Sequence, residues 1–214
     1  MSGKLRRGSR IGKYRLEQKL GEGGSAVVWK ARDTIEGRRV ALKILQPAVV
    51  SQHGREAIEV EARLAAQLDH PRIASIRNAD WIDGHFVIVT DLALASLDRY
   101  PRARRSPMTA LRIVGDVAEG LAYAHDQGLL HRDIKPANIF VYEGGRARLG
   151  DFGTARLAPA TTRLLTEVGT FGYMAPEQAY GRTRFASDVF SLALTAYELF
   201  AGVLPGWPFE WPLE

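Results

Sequence analysis

Cysteine is absent from the 214 residues, which excludes disulfide scaffolds and thiolate-ligated metal sites and suits a reducing compartment. No apolar run approaches the ~20 residues that cross a bilayer, so no membrane span is expected. The N-terminal MSGKLRRGSRIGK is basic but has no apolar core, which excludes an ordinary secretory signal. Internal repeats and low-complexity tracts are also missing, so solenoid and fibrous classes drop out. These absences point to a cytoplasmic location. What is present agrees with a globular chain: 46% hydrophobic and 25% charged residues suit one domain, or two lobes, with a sizeable core. The net charge of +5 sits partly in residues 1–13, which read as a basic solvated tail. Contact with nucleic acid or an anionic surface is the alternative for that tail. No nucleic-acid partner is expected, because the remaining charge is scattered.

Between Tyr14 and Leu45 the pattern is strand, turn, strand, turn, strand. YRLEQKL and VVWKARD alternate, GEGGSA breaks them, and VALKIL is a short buried run. A dinucleotide-binding turn needs a helix after its glycines; here a strand follows Gly21, Gly23 and Gly24, so that reading is rejected. A glycine hairpin can instead lie down over phosphates, where side chains would clash. Alone it does not identify such a site, and Ala26 stands where a third glycine would. Lys43 shares a strand face with Ala41, opposite Leu42 and Ile44. It is either an edge lysine that snorkels or the partner of a buried acid. Residues 55–68 supply such an acid: at helical spacing Ala57, Ile58, Leu64, Ala65 and Leu68 share a face with Glu61 at its centre, while Glu56 and Glu59 point away. A carboxylate facing a core needs a partner, and Lys43 is the natural one. Phe86–Thr90 reads as a buried strand. Ser106–Gln127 reads as a long helix, capped by Ser106 or Thr109 and closed by Gly128. Ser187–Gly202 is apolar on nearly every face and reads as a helix buried in a core.

The chemistry is concentrated in HRDIKPANIF, His131–Phe140, and LGDFG, Leu149–Gly153. These stretches bring Asp133, Lys135, Asn138 and Asp151 together on two short loops. Such groups can accept a hydroxyl proton, steady a phosphate and hold Mg²⁺ through hard oxygen ligands. The spacing H-R-D-x-x-x-x-N, followed by DFG, resembles the catalytic and metal loops of the protein kinase family. The resemblance covers residues 14–204. It implies an α+β, two-lobed protein kinase-like fold: a small antiparallel β-sheet N-lobe at 14–90, a hinge at 91–95 and a helical C-lobe at 96–214. It implies ATP and Mg²⁺, with Mn²⁺ as a substitute. In that template Asp133 accepts the hydroxyl proton and Lys135 neutralises charge on the transferred group. Lys43, held by Glu61, orients the α- and β-phosphates, and Asn138 and Asp151 carry metal. The nucleotide would be lined by Gly21, Glu22, Gly23, Gly24, Ser25, Ala26, Val28, Ala41 and Lys43, with Thr90 as gatekeeper, Asp91 and Ala93 at the hinge, and Phe140. Phe152 would pack under the helix carrying Glu61, and Asp188 would hold the backbone of the catalytic loop.

Lys135 with Pro136 resembles the serine/threonine branch of the family. VGTFGYMAPEQ, residues 168–178, resembles the acceptor-seating segment of bacterial relatives, with Thr170 near Asp133 and Glu177 as an anchor. The implied function is transfer of the ATP γ-phosphate to serine or threonine hydroxyls of a protein substrate. Thr154, Thr161, Thr162 and Thr166 belong either to a flexible loop or to phosphorylation sites that pair with Arg132. The family's last C-lobe helices, and the arginine that pairs with the acid at Glu177, are missing. A fragment or a minimal variant is expected, and with it self-association or a partner covering the C-lobe, for which Trp207, Phe209 and Trp211 are the available cover. Two alternatives stand beside this reading. One is a catalytically weak nucleotide-binding scaffold, a consequence of the short C-lobe; the other is a small-molecule kinase sharing the fold. The Thr170 and APE segment favours protein substrates.

Overall fold

Alternating side chains from Arg10 to Leu45 pair into the first part of an antiparallel sheet. The structure is a computed structural model, and it describes residues 5–104, 106–152 and 171–206. Strands β1 (Arg10–Ile11), β2 (Tyr14–Glu22), β3 (Ala26–Asp33) and β4 (Arg39–Leu45) precede two helices, α1 (Pro47–His53) and α2 (Arg55–Ala66). A hairpin of β5 (Ile76–Ile82) and β6 (His85–Asp91) completes the sheet in the order β1-β2-β3-β4-β6-β5. Part of the expected tail belongs to this sheet. Arg10 and Ile11 pair with Arg15 and Tyr14, because Ile11 and Leu5 pack onto Tyr14, Leu16, Trp29 and Leu42. The register puts Val28, Lys43 and Ile88 abreast, and likewise Lys30, Ala41 and Thr90. Strand alternation then places Lys43, Ala41 and Thr90 on one face while Leu42, Ile44, Val87 and Val89 fill the core on the other.

Helix α2 is turned relative to the expectation. Its buried residues are Ile58, Glu61, Ala62 and Ala65, and Leu68 is buried beyond its end. Ala57 and Leu64, expected on the inner face, are exposed. Ile58 and Ala62 pack with Ala26, Phe86 and Ile88 while Ala65 joins the cluster of Leu68 and Phe152, and this keeps Glu61 inward. Glu59 does face outward, but it is not idle: Trp81 on β5 donates Nε1–H to it over 2.6 Å, and the Arg55 guanidinium lies 4.0 Å above the same ring. Helix α1 was not anticipated; Pro47 opens its first turn.

The second lobe holds β7 (Ala95–Ser96), α3 (Pro107–Asp126), β8 (Ile139–Val141), β9 (Ala147–Leu149) and α4 (Phe185–Ala201), with β7, β8 and β9 paired as a small sheet. Ser106 caps α3 by accepting the Thr109 amide over 3.2 Å, which decides between the two candidate caps. The lobes meet where Leu149 donates its amide to Arg72 O over 2.8 Å and accepts from Ala74 N over 2.9 Å. Buried Asp116 of α3 locks this joint, with Arg72 Nε at 3.0 Å and the Ala147 amide at 3.0 Å. Helix α4 departs from the expectation of all-round burial. Its buried side is largely polar, with Ser187, Asp188, Ser191 and Thr195, whereas Val189 and Phe200 are 55% and 54% exposed. Ser191 and Thr195 return their hydroxyls to carbonyls one turn back, at 3.1 and 2.9 Å, so their burial leaves no donor unpaired. No helix among the described residues is long and apolar enough to cross a membrane.

Glycine at position 120 follows from the joint. A Cβ there would stand 2.7 Å from Arg72 O, a backbone atom that cannot step aside, whereas one at Gly115 of the same helix meets nothing within 4 Å. Helix propensity favours alanine by about 1 kcal/mol at both sites. Gly115→Ala is therefore expected to stabilise, and Gly120→Ala to destabilise by about 1–2 kcal/mol net of that gain, since overpacking costs more. Urea unfolding of the two variants measures the difference, and equal stabilisation by both would show that the Arg72 loop yields.

Candidate active site

One buried ring organises the segment His131–Asn138. His131 is fully buried; its Nδ1 accepts the Asp133 amide over 3.2 Å and its Nε2 donates to Gly150 O over 2.7 Å. Those two bonds require the neutral imidazole with its proton on Nε2. Burial pushes the ring's pKa below the ordinary 6.5, in the same direction. Phe152 packs edge-on against it at 4.6 Å. Phe152 also shares a core cluster with Ala65 of α2 and with Leu68, as the resemblance implied. Arg132 and Asp151 adopt left-handed backbone angles, φ 69° and 64°. Such angles cost about 1–3 kcal/mol each and persist only where the surroundings impose them. Asp188, 1% exposed, imposes the first: it accepts the amides of His131 and Arg132 over 2.8 and 2.7 Å, with His125 Nε2 at 3.0 Å. Gln178 adds a bond to Arg132 O at 3.1 Å.

The polar groups singled out in the sequence converge on this frame. Asn138, itself buried, donates Nδ2–H to Asp133 O and Oδ2 over 2.7 and 2.9 Å. Lys135 Nζ lies 3.2 Å from the same Oδ2. Lys43 Nζ reaches down from β4 to within 2.8 Å of Asp151 Oδ1, a contact the sequence did not suggest. Glu61 is 7% exposed on the inner face of α2. Above the site, Gly23–Ser25 close the hairpin between β2 and β3, with Gly23 N donating to Ala26 O over 3.0 Å. Below it, Phe140 lies on β8. A Cβ on Gly150 would fall 2.3 Å from that ring, so this glycine is what admits Phe140. At the connection between lobes Asp91 still belongs to β6 and Ala95 already to β7. Leu94 N donates to Val141 O over 2.9 Å, and Asp91 is held by Arg77 at 2.6 Å.

Glu177 has a partner other than the expected arginine. Ser187 of α4 donates its hydroxyl to it over 2.5 Å, which holds the carboxyl below its ordinary range. Gly153, Thr154, Thr161, Thr162, Thr166, Thr170 and the tryptophans at 207 and 211 with Phe209 lie outside the described residues. The structural importance of His131 and Gln178 escaped the sequence reading. Neither carries a periodic signal, and only a polar residue held in an otherwise apolar surrounding would have marked them.

The Protein kinase domain model matches residues 14–209. The chain is 34% identical over 214 residues to the serine/threonine-protein kinase pkn2 of Myxococcus xanthus, covering 94% of this chain and 25% of that protein. It is 37% identical over 205 residues to PknD of Mycobacterium tuberculosis, covering 92% of this chain and 31% of PknD. To PknA of the same species it is 37% identical over 207 residues, with 91% of this chain and 48% of PknA covered. The chain thus spans less than half the length of these curated relatives. The crystal structure of the Mycobacterium tuberculosis PknI kinase domain superposes with a TM-score of 0.72 at 32% identity, over 99% of this chain and 82% of that one.

Neutral His131 carries a pH dependence. Its folded pKa lies below the unfolded 6.5, so the unfolded chain takes up the proton first as pH falls. Its contribution to stability is therefore complete above that value and declines below it, by up to about 1.4 kcal/mol per pH unit. Urea midpoints measured between about pH 7.5 and 5.5 should fall more steeply for the wild type than for His131→Phe. Parallel declines would mean that the ring protonates in place.

Proposed function

The chain belongs to the protein kinase domain family, and from that premise we propose that it transfers the γ-phosphate of ATP to serine or threonine hydroxyls of a protein substrate. The observation that carries this reading is the convergence of Lys135 and Asn138 on Asp133, beside Asp151 held by Lys43. Asp133 is anchored by its amide and its side chain, so its carboxylate is aimed to receive a hydroxyl proton and orient the attacking oxygen. Lys135 stands where it can follow negative charge onto the transferred group. The relatives at 34–37% identity are named serine/threonine kinases, which favours catalysis over the scaffold alternative.

A divalent cation fits the donors present. With its Nδ2 engaged on Asp133, Asn138 presents a carboxamide oxygen, and Asp151 adds a carboxylate. Among the described residues no cluster of three or more His, Cys, Asp or Glu side chains could hold an ion unaided. The remaining ligands are then phosphate oxygens and water, the shell Mg²⁺ prefers, with Mn²⁺ a hard substitute. A bound ion supplies neutralisation of charge on the β- and γ-phosphates. We assign Glu61 to steady Lys43 from α2, and the face bearing Val28, Ala41 and Thr90 to the adenine side, with Asp91 and Ala93 at its edge. Arg132 Nε is buried without a hydrogen-bond partner among the described residues, which supports a role in receiving a phosphorylated threonine. The requirement for ATP supports the cytoplasm as the working compartment. The exposure of Val189 and Phe200, 55% and 54%, supports a partner on the C-lobe.

Radiolabelled ATP with Mg²⁺ and a generic basic protein should give label on Ser/Thr. Asp133→Ala should bind ATP but transfer at least about 100-fold more slowly; unchanged turnover would remove Asp133 from the mechanism.

Lys43→Met and Glu61→Gln should each lower transfer, and the double variant should fall short of the product of the two losses, because both break one interaction. Full additivity would separate the two residues. Glu56→Gln is the better control on α2, since Glu59 is bonded to Trp81.

A further inference from the structure

Strand β2 skips a residue beside the glycine hairpin. Lys19 pairs with Trp29 and Gly21 with Val28, so Leu20 has no partner on β3. A bulge of this kind turns its carbonyl out of the ladder. That carbonyl is taken up from the opposite lobe: Arg99 Nη1 donates to Leu20 O. The same guanidinium passes 3.8 Å from the point where a Cβ on Gly21 would stand. The base of Arg99 is rigid. It lies in a turn closed by Arg99 N to Ser96 O at 3.0 Å and Tyr100 N to Leu97 O at 3.3 Å. Leu97 is fully buried and donates its amide to Ile139 O and Pro136 O over 2.8 and 3.1 Å, within and just after the segment bearing Lys135 and Asn138.

We propose that Arg99 is a latch across the mouth of the cleft, a positioning residue that holds the glycine hairpin strand over bound nucleotide and sets the rate at which nucleotide leaves. This rests on the phosphotransfer reading above. Other ties between the lobes among the described residues include the connection at 91–95, the Arg72–Leu149 joint, the Lys43–Asp151 pair and the packing of Phe152 with Ala65 and Leu68. None of these holds β2, which at its hairpin end pairs, among the described residues, with β3. The latch spans that gap directly. Arg99 is 62% exposed at its side chain, so the bond forms and breaks readily; it tunes opening and does not forbid it. Where opening limits product release, loosening it speeds release without slowing chemistry.

The test is stopped-flow release of a fluorescent ADP analogue from the full chain, beside steady-state kinetics and amide hydrogen exchange at residues 19–24 without nucleotide. Arg99→Ala should release the analogue about 3- to 10-fold faster, the range of one exposed charge-assisted hydrogen bond. KM for ATP should rise by a similar factor while kcat holds or increases, and exchange at 19–24 should quicken. Arg99→Lys should recover most of the effect, because a backbone carbonyl accepts from an ammonium as well. Arg102→Ala removes the same charge nearby, where Arg102 instead binds Gly202 O, and should leave release unchanged. Unaltered release and exchange in Arg99→Ala, or the same change in Arg102→Ala, would overturn the latch. A wild type that binds no nucleotide defeats the phosphotransfer reading instead, and exchange at 19–24 then still decides for or against the latch.

Discussion

The neutral imidazole of His131 bridges the two strained loops that carry the site. Through Nδ1 it holds the amide of Asp133, and through Nε2 the carbonyl of Gly150, one residue before Asp151. A charged ring would lose the Asp133 bond, because a protonated Nδ1 cannot accept, and a ring turned over would lose both; burial, which disfavours the charge, is what makes the bridge dependable. Asp188 complements it from α4 by accepting two successive amides at the bend of Arg132. The left-handed angles at Arg132 and Asp151 are stable only because these donors and acceptors meet there. Strain in the backbone is thus held by buried polar groups, and the carboxylates of Asp133 and Asp151 inherit their positions from it.

The second constraint is the joint between the lobes. Arg72 follows α2 in the chain, yet its carbonyl binds β9 and its guanidinium binds Asp116 of α3. Helix α2 therefore carries Glu61 on an element whose far end is bolted to the C-lobe. Trp81 fastens the same helix from the sheet through Glu59. The hairpin side is held more lightly, by the exposed Arg99 on Leu20 O. A rigid back and a looser front suit a site that must admit nucleotide and then exclude water around it.

Much of this was legible in the chain. The strand order from Tyr14 to Leu45 showed in period-two alternation, and the rejection of a dinucleotide turn needed only the strand after Gly24. Lys43 was placed on the right face by the same rule. Helix α2 was placed correctly but rotated wrongly, because Leu64 is apolar whether or not a neighbour covers it. On α4 the error ran the other way: its apolar letters suggested all-round burial, while the buried side combines Leu192 and Leu194 with serines and a threonine. Their hydroxyls bond back to their own helix, so they behave as small side chains.

Local pattern determined which residues are proposed to carry the chemistry, since H-R-D-x-x-x-x-N and DFG hold their spacing within short stretches of chain. It also determined strands, caps and the turn glycines, which depend on neighbours a few positions away. Only the tertiary structure decided who binds whom. Lys43 meets Asp151, Glu177 meets Ser187, Glu59 meets Trp81 and Arg99 meets Leu20 across separations of 10 to 108 residues. Contacts between distant segments depend on how two lobes close on each other, and no spacing along the chain encodes that closure.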